Sequence, residues 1–191
     1  MKVYIISLLF ATLNLFAQND LNWSSDYELK LTDFQSDATQ IGGTNTFSLQ
    51  MPTGIDFVFS MSNLEFSFTK NFNAKVNNVF KSSSSAIVAL DSQQAESIVK
   101  FANYQFDLSE LYARKFRKRI FEEKSTFSSV QFFKPIYDEL QKEFSQRLTN
   151  ASKETELGSK SEKLNLLHQE VNNEIEDLSD FCKECKPRKK K

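Results

Sequence analysis

The chain has 191 residues, with 24 basic against 25 acidic side chains and a formal net charge of −1. That balance argues against a nucleic-acid-binding role, which draws on a concentrated positive field. Phe is abundant at 19 while Gly (4) and Pro (3) are scarce, a composition that favours a packed globular domain over a disordered chain.

Residues 1–17, MKVYIISLLFATLNLFA, place one Lys ahead of an apolar run over 3–13 and end on the small residue Ala17. The pattern is that of a secretory signal peptide with cleavage before Gln18. The apolar run is short for a bilayer span, which takes about 20 residues. No Cys follows the cut, so a lipoprotein anchor is not expected. Loss of Lys2 with the leader makes the mature chain one unit more negative. Residues 18–181 read as a single α+β domain, and residues 182–191 as a C-terminal C-x-x-C with a basic tail.

Residues 21–34 hold the only Trp, Trp23, together with Leu29, Leu31 and Phe34. These read as anchors that pin an irregular lead-in onto the core. Residues 44–51 are the first candidate strand, followed by the turn signal Pro52-Thr53-Gly54. Ile55, Phe57, Phe59 and Met61 then alternate with Asp56, Val58 and Ser60. Leu64, Phe66 and Phe68 alternate with Glu65, Ser67 and Thr69. Two period-two runs across the Ser62-Asn63 break predict an antiparallel hairpin. A fourth strand is expected over 73–80, and the polar link 82–85 leads to a short apolar piece over 86–90.

From 91 to 124 the spacing predicts one long helix. Asp91 with Gln94 three residues on is a capping-box start. Phe101, Gln105, Leu108, Tyr112, Phe116 and Ile120 share one face, and Arg114, Lys115, Arg117, Lys118 and Arg119 occupy the opposite one. A second helix is expected from Pro135 to about 148, then a break over 149–158. A third helix follows a Ser159–Glu162 capping box, with Leu164, Leu167, Val171, Ile175 and Leu178 on its apolar face. The expected fold is α+β: an antiparallel sheet of about four strands packed on the long central helix, followed by two further helices.

Within the long helix, FANYQFDLSELYARKFRKRI (101–120) resembles the core helix of a family of secreted bacterial proteins regarded as zinc-dependent proteases, mostly described as a domain of unknown function. The family pattern is approximately H-E-Q-x-H-F-D-I-A-E-x-Y-A-R-K-L-R-K. Phe106, Asp107, Leu108, Glu110, Tyr112, Ala113, Arg114, Lys115, Arg117 and Lys118 fit it. Its metal motif is not kept: Phe101 stands at the first His, Ala102 at the Glu and Gln105 at the second His. In H-E-x-x-H two imidazoles one turn apart bind zinc, and the Glu takes a proton from the metal-bound water. Phe101 offers no lone pair, Ala102 no proton acceptor, and Gln105 only a neutral amide oxygen. A second segment, ASKETELG (151–158), resembles the family's Y-D-x-E-T-x-H-G, whose His could supply a third ligand; Leu157 stands at that His. The resemblance implies a zincin-like fold and export. The residues imply no metal, no cofactor and no catalytic group at the degenerate positions Phe101, Ala102, Gln105 and Leu157.

His168 is the only His. It matches no ligand position and reads as a solvent-facing or half-buried structural residue. Cys182 and Cys185 form a C-x-x-C that follows a helix instead of heading one. A local disulfide is therefore expected in an exported protein, with an intermolecular bridge or a redox role as alternatives. The expected function is an exported, periplasmic or extracellular, non-catalytic relative of zinc metalloproteases acting as an envelope binding or scaffold protein. Its partner would be a protein or peptide, with no nucleic acid and no transmembrane segment after signal cleavage. Two alternatives stand beside it: a hydrolase working through other residues such as Asp107 and Glu110, and an envelope protein linked through its C-x-x-C.

Overall fold

The computed structural model describes residues 20–57 and 62–187. The expected leader, residues 58–61 of the expected hairpin and residues 188–191 of the basic tail lie outside the described residues. Strands β1 (Asp20–Asn22), β2 (Gln40–Ile41), β3 (Ser48–Gln50) and β4 (Thr53–Phe57) precede a short helix, α1 (Asn63–Phe68). Strands β5 (Val76–Lys81) and β6 (Ala86–Ala89) lead into α2 (Ser92–Glu123), and α3 (Phe133–Thr155) and α4 (Ser161–Asp177) follow.

The α+β class is as expected, with strands packed on a long central helix and two further helices after it. The strands divide into two three-stranded sheets, ordered β1-β5-β4 and β2-β6-β3. The first is antiparallel throughout; in the second, β2 and β6 run parallel. The chain crosses between sheets three times, over 23–39, at Met51-Pro52 and over 82–85. Pro52 has no N–H to give to a ladder, which suits the second crossing. The Pro52-Thr53-Gly54 signal thus marks a change of sheet, with Thr53 already in β4.

The predicted hairpin does not form. Leu64, Phe66 and Phe68 lie in α1, whose N-cap Ser62 accepts a hydrogen bond from the Glu65 N–H at 3.2 Å. Over six residues, alternation cannot separate a strand from one and a half turns of helix, and the capping serine decides it. Only Phe66 turns inward; Leu64 and Phe68 are 71% and 79% exposed.

Helix α2 begins and ends close to where the spacing places it. Asp91 Oδ1 accepts from the Gln94 N–H at 2.8 Å, and Gln94 Oε1 accepts from the Leu90 N–H at 2.9 Å. Between residues 101 and 120, however, no side chain is exposed. Phe101, Leu108, Phe116 and Ile120 join Val76, Phe133, Leu140, Leu164 and Val171 in the main core. Ala95, Ile98, Ala102 and Phe106 pack with Leu29, Phe34, Phe80 and Ile87 in a second. A helix covered by sheets on one side and helices on the other has no free basic face, so Arg114 and Arg117 are buried.

Helix α3 runs past the expected stop near 148 to Thr155. Glu156, Leu157 and Gly158, with φ of 51°, 51° and 94°, end it. The expected Ser159–Glu162 box is not made, because the Ser159 N–H bonds the Glu156 carbonyl at 3.2 Å and α4 starts behind Lys160 without a side-chain cap. Glu174 on α4 accepts from Lys115 on α2 (2.9 Å) and Arg147 on α3 (2.5 Å), which clamps the three helices.

Two predictions follow from this packing. A Cβ on Gly158 would sit 2.2 Å from the Ser97 carbonyl oxygen, at a φ that L residues rarely adopt. Gly158→Ala is expected to lower stability by about 2 kcal/mol or more, read from urea unfolding. Burial alone would raise the Glu174 carboxyl, but the hydrogen bonds and charges of Lys115 and Arg147 outweigh it and hold the group below its ordinary range. The clamp is therefore at full strength above the unfolded-state pKa and weakens as pH falls through the lower folded-state value. Urea midpoints followed from neutral pH into the acid range should drop less steeply in Glu174→Gln.

Candidate functional site

Phe101 and Gln105 lie one turn apart on α2, while Leu157 sits in the turn that ends α3. All three line one cavity of about 370 Å³, with Leu49, Met51 and Leu148 as further apolar wall and Thr149, Ser152 and Lys153 as polar rim. Ala102 points elsewhere, into the second core. The Gln105 amide is already engaged: its Nε2 donates to the Met51 carbonyl and to Thr53 Oγ1, each at 3.2 Å. This ties α2 to the crossing between the sheets. Among the described residues, no three His, Cys, Asp or Glu side chains converge in a way that could hold a metal ion.

The two carboxylates singled out on α2 enter separate networks. Asp107 Oδ1 accepts from Trp23 Nε1 at 2.6 Å, and Asp107 Oδ2 lies 2.5 Å from His168 Nε2. The imidazole and the carboxylate thus share one hydrogen bond through Nε2. His168 is half-buried as expected, its ring edge-on to Tyr104 with centroids 6.0 Å apart. Among the described residues, it makes no hydrogen bond to a hydroxyl or thiol that an Asp–His pair could activate. Sequence reasoning placed Trp23, Asp107 and His168 in three unrelated roles. Their partners lie 84 and 61 positions apart, and no local spacing signals such a link.

Glu110 is committed inward. Its Oε1 accepts from Arg114 Nε (3.0 Å) and an Arg117 terminal nitrogen (2.8 Å). Arg117 also donates to the carbonyls of Val76 (2.8 Å) and Phe181 (3.1 Å), and Arg114 donates to that of Ile175 (2.8 Å). The Arg114 guanidinium lies over the Trp23 ring, 5.4 Å from its centroid.

Other titratable groups are perturbed without forming a reactive centre. Burial raises the Tyr104 and Tyr112 phenols against the opposing pull of Arg147, so both stay protonated. Burial, and then the charge of Lys70, lowers the Lys124 ammonium. Its Nζ packs 4.5 Å from the Phe66 ring centroid and 6.0 Å from that of Phe72, and donates to the Ser67 and Ser125 carbonyls at 3.4 and 3.5 Å.

Cys182 and Cys185 are bonded to each other. Asn71 and Asn73 both donate to the Cys185 carbonyl, at 3.1 and 3.0 Å, and hold the turn in place. A surface groove of about 1090 Å³ lies beside this turn. It mixes Lys70 and Lys118 with Glu122, Asp177 and Asp180, and none of the expected site residues lines it.

Compared with protein-family models, curated proteins and solved structures, the chain matches none. No helix among the described residues is long and apolar enough to cross a membrane.

Glu110 bridges two buried guanidinium groups, and neutralising it would leave them without their shared counter-charge. Glu110→Gln is expected to cost about 3–5 kcal/mol of stability. Asp138→Asn, which breaks an exposed pair with Lys134, should cost about 0.5 kcal/mol or less. Chemical denaturation of the two variants side by side gives the comparison.

Proposed function

We propose that this chain is an exported, non-catalytic relative of secreted zinc-dependent proteases that works as a binding or scaffold protein. The observation that carries this reading is the meeting of Phe101, Gln105 and Leu157 around one cavity. Two separate segments, 101–120 and 151–158, resemble the family, and their carried-over ligand positions converge, as a metal-site scaffold requires. The side chains there are a phenyl ring, an engaged amide and an isobutyl group, none of which competes as a zinc ligand with imidazole or thiolate. Ala102 has no group to serve as base for a metal-bound water. What remains is a small cleft with an apolar wall and a polar rim, suited to an amphipathic side chain of a protein or peptide partner.

Export is supported by the leader pattern of residues 1–17 and by the Cys182–Cys185 bond, which persists in oxidising compartments. A hydrolase working through Asp107 and Glu110 has less support, since both carboxylates are held in structural hydrogen bonds. A redox role has less support too. The disulfide closes a turn next to Phe181, whose carbonyl caps Arg117, and so acts as a staple.

Supplying the missing donors tests the scaffold. Phe101→His, Gln105→His and Leu157→His in one variant should raise bound zinc from near zero to about one per chain after desalting. Tetrahedral cobalt absorption gives a second readout. Stoichiometric zinc in the wild-type protein would overturn the reading, and so would a folded triple variant that takes up none.

A further inference from the structure

The cleft shared by Phe101, Gln105 and Leu157 has two chemically different parts. Leu49 of β3, Met51 just after it, Phe101 of α2, Leu148 of α3 and Leu157 make the apolar wall. Thr149, Ser152 and Lys153 make the rim. Thr149 stands three and four residues before the other two on α3, so the three side chains meet along one edge of the helix. Thr149 and Lys153 are exposed and Ser152 is half-buried, which leaves the rim open to solvent.

Among the described residues lining the cleft, Lys153 alone is charged. The carboxylates next to it in the chain are paired elsewhere, Glu154 with Lys163 at 3.1 Å and Glu156 with Lys160 at 2.7 Å. On α2, Glu96 and Lys100 precede Phe101 and offset one another. β3 carries no charge, and on β4 it is Ile55 that faces the core, which puts Asp56 on the far side of that strand. The rim therefore holds one cation without a counter-charge.

Free carbonyls at the end of α3 would oppose an anion here, but they are occupied. That of Ala151 accepts from Thr155 Oγ1, that of Ser152 from the Glu156 and Leu157 N–H groups, and that of Thr155 from the Gly158 and Lys160 N–H groups. Gln105 adds an acceptor: its Nε2 is taken up by the Met51 carbonyl and Thr53 Oγ1, which leaves Oε1 for a donor from outside the chain.

Resting on the reading of this cleft as a binding site, we propose that it takes the C-terminal residue of a peptide or protein ending in a large apolar side chain. The side chain lies on the apolar wall. The terminal carboxylate meets Lys153 and the Thr149 and Ser152 hydroxyls in charge-assisted hydrogen bonds. The N–H of the same residue donates to Gln105 Oε1. A volume of about 370 Å³ is at the small end for a ligand pocket and suits one residue. A fatty acid offers the carboxylate and the apolar chain but no N–H for Gln105.

The test titrates the purified protein with N-acetyl-L-leucine, N-acetyl-L-leucinamide and octanoate, followed by the methyl resonance of Met51 and by calorimetry. Saturable binding of N-acetyl-L-leucine is expected, about tenfold tighter than the amide, which lacks the carboxylate. It should be about fivefold tighter than octanoate, which lacks the N–H. Lys153→Gln should remove the preference for acid over amide, while Lys142→Gln, on an exposed part of α3 away from the cleft, should keep it. Thr149→Trp, at an exposed rim position, should fill the cleft and weaken all binding. The proposal is overturned by acid and amide bound equally, by octanoate bound as tightly as N-acetyl-L-leucine, by a preference that survives Lys153→Gln, or by no saturable binding at all. None of these results bears on the protease-like scaffold, which falls instead on stoichiometric zinc in the wild-type protein.

Discussion

The guanidinium of Arg117 is the junction at which the fold closes. From the centre of α2 it reaches the Val76 carbonyl on β5, the Glu110 carboxylate one face along, and the Phe181 carbonyl ahead of the disulfide turn. Through Glu110 it is joined to Arg114, which in turn holds the Ile175 carbonyl on α4. One sheet, one neighbouring helix and the C-terminal turn are thus fastened to a single pair of side chains. A planar fork with five donors can do this; a lysine, with a compact ammonium, could not reach the same acceptors at fixed angles. The rest of the packing is arranged so that these charges never meet bulk water.

Helix α2 distributes its side chains in sequence along its length. Near Phe101 and Gln105 it walls the cleft shared with Leu157. At Asp107 it takes the Trp23 indole and the His168 imidazole, which draws the N-terminal segment and α4 together. From Glu110 to Arg117 it supplies the buried ionic cluster. Asp107 and Glu110 thus both support the helix's neighbours.

The features legible in the sequence are those set by local chemistry. The limits of α2 follow from Asp91 and Gln94 and an unbroken run of helix formers, and the disulfide follows from a three-residue spacing past a helix end. The α+β class follows from strand-like segments placed before helical ones. What was not legible depends on distant partners. Nothing near Pro52 tells a turn within one sheet from a step between two. The run Leu64 to Phe68 alternates like a strand, and only the cap at Ser62 makes it helical. The burial of Arg114 and Arg117 requires knowing that α2 is covered on all sides. For the cleft, residue-by-residue resemblance named Phe101, Gln105 and Leu157, but their convergence, and the exclusion of Ala102 from it, belongs to the three-dimensional packing.

The two ends of the described chain adjoin: Lys183 Nζ on the disulfide turn donates to Asn22 Oδ1 on β1 at 3.3 Å. β1 is also an outer strand of its sheet, paired only with β5. The covalent order in which the elements are synthesised is therefore not what holds them together. A circularly permuted chain, joined between these ends and opened in the loop between α2 and α3, where Phe127 stands 97% exposed, would retain every partner of Arg117.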